Sequence, residues 1–413
     1  MSARPPLPDG PYLIVGLARS GIAAARMLRP YGEVLAVDGG HPDVPADLHA
    51  VVDSDGLDLL ERAACVVKSP GVPNEAPVIA AARERGVPVV GELELAWRLL
   101  PNRFVAVTGT NGKTTTVELL GAIWRAAGLP VAVAGNVGKP LSALVGEVDP
   151  EATIVCEVSS FQAEDAVEFA PDLGLLLNLT EDHLDRHGSF AAYRDAKLRM
   201  FARQTPDQVA IAPEGIEPQG EGRRVALGEL PLPPAEVRLR GPHNLENARG
   251  AAALALSAGV PAEAIAEALR TFAGVPHRLE EVATVDGVLY VNDSKATNVS
   301  SAVRGIESFD GGVHAILGGS LKGGGFEGLR EPVAARCRAC YLIGEAADRL
   351  ASDLAGTGVA LHRSGDLESA VAAARAAAQP GETVLLSPAC ASYDQFRDYE
   401  QRGERFRELI SRE

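Results

Sequence analysis

Aromatic residues make up only 5% of the 413-residue sequence, cysteine occurs five times, and 39 basic residues are outnumbered by 55 acidic ones. No uninterrupted apolar run of about 18 residues occurs, which excludes a membrane-spanning helix. The net charge of −16 and a pI near 5.1 argue against nonspecific nucleic-acid binding, which depends on a positive surface field. Cys65, Cys156, Cys337, Cys340 and Cys390 form an odd, scattered set that builds no disulfide framework. Cys337 and Cys340 match the C-x-x-C spacing, but no second pair completes a zinc site. The run Val333 to Leu342 reads instead as a helix passing into a strand, where small cysteines pack. The N-terminus, Met-Ser-Ala-Arg-Pro-Pro, lacks the charged-then-apolar pattern of a secretion signal, so a soluble cytoplasmic protein is expected.

A hydrophobic content of 46% is ordinary for a globular chain, and the length predicts two or three domains. Short apolar runs alternate with helical patterns throughout. In the first segment Tyr12 to Val15, Glu33 to Val37, Cys65 to Val67 and Val87 to Val90 read as strands. The second opens at Phe104 to Val107 and continues through Ala152 to Val158 and Leu173 to Leu177, with helices at His243 to Ala258 and Pro261 to Phe272. Its run Pro213 to Pro234 reads as an irregular excursion. The third carries strands at Val288 to Val291, His314 to Leu317, Cys340 to Ile343 and Thr383 to Leu386. Strands alternating with helices imply parallel sheets with helical crossovers. An α/β chain of three domains in series is therefore expected. Residues 1–98 form a Rossmann-like unit, 99–273 a phosphate-loop unit with a mostly parallel sheet, and 274–413 a second Rossmann-like unit.

The sharpest motif lies between a strand and a helix: Gly109-Thr110-Asn111-Gly112-Lys113-Thr114-Thr115. A glycine turn presents inward N–H groups, the helix N-terminus adds its positive end, and Lys113 neutralises outer phosphates. The hydroxyl of Thr114 is placed to ligate Mg²⁺. Val107 stands where the full phosphate-loop pattern has glycine. The loop Gly16-Leu-Ala-Arg-Ser-Gly21 is a weaker nucleotide signal, with alanine at the second glycine of G-x-G-x-x-G and Asp38 ending the next strand.

Glu157 ends a buried strand, where open α/β sheets bind ligands, and is a candidate Mg²⁺ ligand. His183 and His187 are four apart, so one helical face could hold both and a zinc site is conceivable. Lys197, taken alone, reads as a solvated helix lysine. His243, Asn244 and Asn247 open a helix, with amides suited to capping or to base edges. The loop with Asn292, Asp293, Ser294, Lys295 and Thr297 follows a strand, and the loop with Lys322 follows the next. With Arg278 these predict a surface that faces phosphate or carboxylate.

Together, Thr110-Asn-Gly-Lys-Thr-Thr, Glu157 with Ser159-Ser-Phe-Gln, Asp182-His-Leu-Asp-Arg, His243-Asn244 with Asn247, His277-Arg278 and Asp293-Ser-Lys-Ala-Thr297 resemble the motifs of the Mur ligases. Those enzymes build the peptide stem of bacterial peptidoglycan, and the likeness spans essentially the whole chain. Within the family it is strongest to the branch that adds D-glutamate to UDP-N-acetylmuramoyl-L-alanine. It is carried by Asn292 to Asn298, Leu317-Gly-Gly with Lys322, and Leu386 to Phe396 with Ser392.

The resemblance implies an ADP-forming ligase in which the substrate carboxylate takes the γ-phosphate of ATP and the acyl phosphate is then captured by an amine. It assigns Lys113, His183, Lys197 and Lys295 to catalysis. Gly109 to Thr115, Asn244, Asn247, Arg278 and Asp293 go to ATP. Thr114, Glu157, His183 and Lys197 go to Mg²⁺, with Lys197 carbamylated. Ala18, Arg19, Asp38, Gly71 and Asn136 go to the UDP substrate, and Thr297, Lys322, Ser392 and Tyr399 to D-glutamate. Gly39 and Gly40 stand where a polar UDP contact is expected, which shifts that grip to Arg19 or the backbone. A monomer is expected. The alternatives are another Mur-type or folylpolyglutamate-type ligase, or a nucleotide-switched binding protein without ligase chemistry.

Overall fold

In the computed structural model, residues 4–321 and 324–411 are described. They divide into two compact units, one of residues up to Glu236 with Glu246–Arg270, the other of Val237–Leu245 with Thr271 onward.

The first unit holds two parallel sheets. One comprises β1 (Tyr12–Val15), β2 (Val34–Val37), β3 (Cys65–Lys68) and β4 (Val89–Gly91), in the order β2-β1-β3-β4. The other comprises β5 (Phe104–Thr108), β6 (Val131–Gly135), β7 (Thr153–Glu157), β8 (Leu173–Leu176), β9 (Val209–Ile211) and the two-residue β10 (Arg223–Arg224), in the order β10-β9-β8-β5-β7-β6. Strands β5, β7 and β8 are buried along their whole length, as near-continuous apolar runs in a sheet covered on both faces should be. One core joins the two sheets, from Tyr12 and Leu28 through Trp97 to Phe104 and Ile154, with Trp97 and Phe104 both edge-on to Phe169. The helix Arg19–Leu28 turns Gly21, Ala24, Ala25 and Leu28 inward at helical spacing. A Cβ on Gly21 would stand 1.9 Å from the Gly16 carbonyl oxygen, so only glycine lets this helix start so close to its strand.

The second unit is one sheet of β11 (Glu280–Val285), β12 (Val288–Asn292), β13 (Val313–Gly318), β14 (Cys337–Ile343), β15 (Ala360–Gly365) and β16 (Thr383–Leu386), in the order β11-β12-β16-β13-β14-β15. Five strands are parallel, and β11 pairs antiparallel with β12 across a turn at Asp286 and Gly287, both with positive φ. This edge hairpin is the one antiparallel strand pairing among the described residues. An Asp-Gly pair suits the left-handed turn that joins adjacent antiparallel strands. The helix Arg330–Arg336 runs directly into β14, so Cys337 and Cys340 sit at a helix–strand passage, with Cys340 buried and both thiols free.

Candidate active site

The loop after β5 leads into the helix Lys113–Ala126, and two glycines give it its shape. Gly112 has φ +81, and a Cβ there would lie 2.1 Å from Asn247 Oδ1, so Asn247 packs against bare backbone. Gly109 has φ +153, with Leu177 Cβ 3.0 Å from where its own Cβ would be. Asn178, just past β8, clasps the loop from the side. Its Oδ1 accepts from Asn111 N at 2.9 Å, its Nδ2 donates to Asn111 O at 3.2 Å, and its own carbonyl accepts from Thr110 N at 3.0 Å.

Lys113 curls over this loop, donating to the carbonyls of Gly109 and Thr110 at 2.9 Å each. Lys197 Nζ donates to the same Gly109 carbonyl at 2.8 Å and lies 4.6 Å from the centre of the Tyr193 ring. Lys197 is 2% exposed, which corrects its reading as a solvated lysine. The cause is Tyr193, one turn earlier on the helix Phe190–Leu198 and itself buried, which turns that face inward. Burial, with Lys113 nearby, lowers the Lys197 amine to about 7.

Thr114 Oγ1 donates to Glu157 Oε2 at 2.7 Å, and Asn136 Nδ2 donates to Oε1 at 3.0 Å. A hydroxyl and a carboxylate thus meet at the phosphate loop. That pair fits Mg²⁺, a hard cation that accepts one or two protein oxygens and completes its shell with water and phosphate. The turn after Glu157 is fixed by a capping box between Ser159 and Gln162. His183 has φ +51 and opens the short helix Leu184–His187. Its ring centre lies 4.9 Å from that of Phe161, and the His187 ring lies 5.4 Å from the same centre, with His187 Nε2 3.1 Å from Ser160 Oγ. Both imidazoles thus pack against one phenyl ring, and among the described residues no group of three His, Cys, Asp or Glu side chains stands ready for a metal ion.

At the first sheet, Asp38 is engaged by backbone: its carboxylate accepts from Leu17 N at 2.6 Å and Gly40 N at 2.8 Å. It therefore shapes the loop of Ala18 and Arg19, both exposed. Arg19 donates to the Gly138 carbonyl, beside Asn136. Gly71 lies exposed in the loop after β3.

In the second unit Asp293 follows β12 and is buried. Its Oδ2 accepts from Ser387 Oγ at 2.7 Å and its Oδ1 from Leu279 N at 3.2 Å. Burial pushes its carboxyl up to about 7, against the pull of those bonds and of Arg278. Lys295 Nζ donates to Tyr399 OH at 2.6 Å and lies 4.1 Å from that ring's centre. The buried Arg402 binds the Ser294 hydroxyl and carbonyl at 2.9 and 2.8 Å, and the carbonyls of Cys390 and Ala391 at 3.1 and 3.2 Å. It thereby ties the loop of Lys295 and Thr297 to the loop that ends in the buried Ser392. Asn244 donates to the Arg240 carbonyl at 2.7 Å. Lys322 lies outside the described residues.

Residues 107–224 match the Mur ligase middle domain, and residues 277–390 match the Mur ligase glutamate ligase domain. The UDP-N-acetylmuramoylalanine--D-glutamate ligase of Acidobacterium capsulatum is 42% identical, covering 96% of this chain and 95% of its own. The chain belongs to the Mur ligase family. The enzyme of the same name from Pelotomaculum thermopropionicum is 40% identical over 96% of each chain. Among solved structures, this Mur ligase shares its fold with the UDP-N-acetylmuramate-alanine ligase MurC of Thermotoga maritima, at a TM-score of 0.59 and 18% identity over 97% of this chain and 98% of that one. It also shares it with the MurF ligase of Thermotoga maritima, determined in complex with ADP, at a TM-score of 0.60 and 17% identity over 91% and 94%.

Sequence reasoning about this Mur ligase passed over Asn178, Tyr193 and Arg402, which hold site residues rather than carry a motif of their own. Tyr193 had a signal, its placement four residues before Lys197 on one helical face. Asn178 and Arg402 had none, because side-chain bonds to distant backbone leave no periodic trace.

Proposed function

We propose that this Mur ligase joins D-glutamate to UDP-N-acetylmuramoyl-L-alanine, with ATP converted to ADP and phosphate, as a step of peptidoglycan precursor synthesis. The observation that carries the reading is the match at 42% identity, over nearly the whole of both chains, to a ligase named for that reaction. The three segments divide the work: residues 1–98 for the UDP end, 99–273 for ATP, and 274–413 for the incoming amino acid. The enzyme works as a cytoplasmic monomer.

A substrate carboxylate oxygen attacks the γ-phosphorus, and the bond to the β-phosphate oxygen breaks. The amine of D-glutamate then adds to the acyl carbon, and phosphate leaves. Both steps bring anions together, so positioning and charge neutralisation supply most of the acceleration. The amides of Gly109 to Thr114 cradle the phosphates, and Lys113 exchanges its loop carbonyls for phosphate oxygens. Thr114 and Glu157 would hold one Mg²⁺, and His183 with Lys197 in its carbamate form a second; bound there, the ions would screen the two anions from each other. An amine near 7 leaves much of Lys197 uncharged at neutral pH, the form that adds CO₂ to become a carbamate. Asn244 and Asn247 face the adenine, while Arg278, Asp293 and Lys295 serve the phosphates. Ala18, Arg19, Asp38, Gly71 and Asn136 serve the UDP substrate. Thr297, Lys322, Ser392 and Tyr399 hold the amino acid.

The test is Lys197→Ala. Its activity should be lost and partly restored by added short carboxylic acids, which supply the missing carboxylate. Unchanged activity in the variant would remove Lys197 from the mechanism.

A further inference from the structure

Lysine is the rare cation of this chain, six residues against thirty-three arginines. Four of the six, Lys113, Lys197, Lys295 and Lys322, belong to the site proposed above. A fifth, Lys68, is fully buried at the end of β3 and belongs to a second arrangement. The loop Ser69 to Pro73 that follows it is pinned to the neighbouring loop after β1 by Ser69 Oγ, which donates to the Gly16 carbonyl at 2.6 Å. On its other side, the Val72 carbonyl accepts from two cations: Lys68 Nζ at 3.2 Å and Arg186 Nη2 at 2.7 Å. Each cation answers to one of two consecutive carboxylates. Lys68 pairs with Asp165 at 2.9 Å, and Arg186 lies 3.8 Å from Glu164. Glu164 also accepts from Asn74, just past the same loop. The Arg186 guanidinium sits 5.0 Å from the centre of the Phe161 ring, against which His183 also packs.

We infer that Arg186 is a positioning residue for the UDP-linked substrate, fastening the loop Ser69 to Pro73 to the turn that carries His183. The inference rests on the proposed reading of that loop, with Gly71, as a contact of this substrate. One end of the substrate must lie at the edge of the first sheet while its carboxylate reaches the phosphate loop of the second. The two loops therefore have to hold a fixed separation, and fixing it in advance lowers the cost of binding a substrate that must reach both. Charge-assisted bonds onto one carbonyl are the stronger kind, and Arg186 is three residues from His183, so the tie reaches the reacting end directly.

The experiment compares wild type with Arg186→Met, which keeps the stem over Phe161 but removes the donors, and with Arg186→Lys. Initial rates are measured while each of the three substrates is varied, and binding of UDP-N-acetylmuramoyl-L-alanine alone is followed by calorimetry. Arg186→Met should raise the KM and Kd for that substrate about tenfold, the loss of one charge-assisted bond. The KM values for ATP and D-glutamate should stay within about twofold, kcat should fall less than about threefold, and Arg186→Lys should recover part of the loss. A wild-type KM for the UDP substrate in Arg186→Met overturns the inference alone. A rise in all three KM values with a lowered melting temperature also overturns it, since that marks general support of the fold. Were the wild type to form no product, the proposed function and this inference would fall together.

Discussion

Lys68→Met removes one partner of an ion pair whose side chains are 0% and 3% exposed. Among the described residues, no hydrogen-bond donor stands at Asp165 Oδ2 to take the place of Lys68. Breaking a buried pair from one side costs about 3–5 kcal/mol, because a desolvated charge is left without compensation. The carboxyl already sits above its ordinary range because burial outweighs Lys68, and without Lys68 it rises further. A carboxyl raised in the folded state contributes stability at low pH that is lost as pH rises through the folded value. The penalty for Lys68→Met should therefore be small near pH 5 and approach its full size near pH 8. The chain's two tryptophans, Trp97 and Trp124, are both buried in the unit that contains this pair, so urea denaturation followed by tryptophan fluorescence reports on it directly. Lys68→Met with Asp165→Leu should recover most of the loss, since an apolar pair of similar volume replaces a buried ion pair at little cost. A penalty below about 1 kcal/mol at pH 8, one that does not vary with pH, or a double variant no better than the single one would refute the reasoning.

Asp293→Asn should grow more stable relative to wild type between pH 5 and pH 8, by about 2–3 kcal/mol, because the wild-type carboxyl loses its proton near 7 while buried. Thermal melts followed by circular dichroism at the two pH values check this, and a constant difference contradicts it. Asn178→Ala removes the side-chain clasp on Asn111 and should raise the KM for ATP about tenfold with a smaller change in kcat, measured by initial rates. Gly112→Ala forces a side chain to φ +81 and onto Asn247, so nucleotide affinity should fall by at least about 100-fold in a titration. Near-normal affinity would mean that the loop is not the nucleotide cradle.

Strands were legible where burial on both faces makes the sequence continuously apolar, as at Phe104–Thr108 and Thr153–Glu157. They were illegible at sheet margins. Val131–Gly135 is mixed with alanine and glycine and only half buried over its first three residues, and Ala360–Gly365 is a largely exposed edge strand rich in polar side chains. β11 was missed for the same reason, its burial never complete along Glu280–Val285. In the site, the phosphate loop declared itself because glycine, lysine and threonine are each needed at a fixed spacing. Lys197 did not, since burial depends on what packs over a residue, here Tyr193, and a helix lysine looks the same either way. Asp38 stands at its strand end as the sequence suggests, but the bonds its carboxylate accepts from the amides of Leu17 and Gly40 leave no trace in the sequence pattern.

The central claim concerns which amine the acyl phosphate meets. Release of phosphate from ATP, with Mg²⁺ and UDP-N-acetylmuramoyl-L-alanine present, is the direct measurement, run against D-glutamate, L-glutamate, L-lysine and meso-diaminopimelate. The account predicts phosphate release with D-glutamate alone, accompanied by a product heavier by one glutamate residue. Turnover with any of the other three and none with D-glutamate, or release independent of every amino acid, would contradict it.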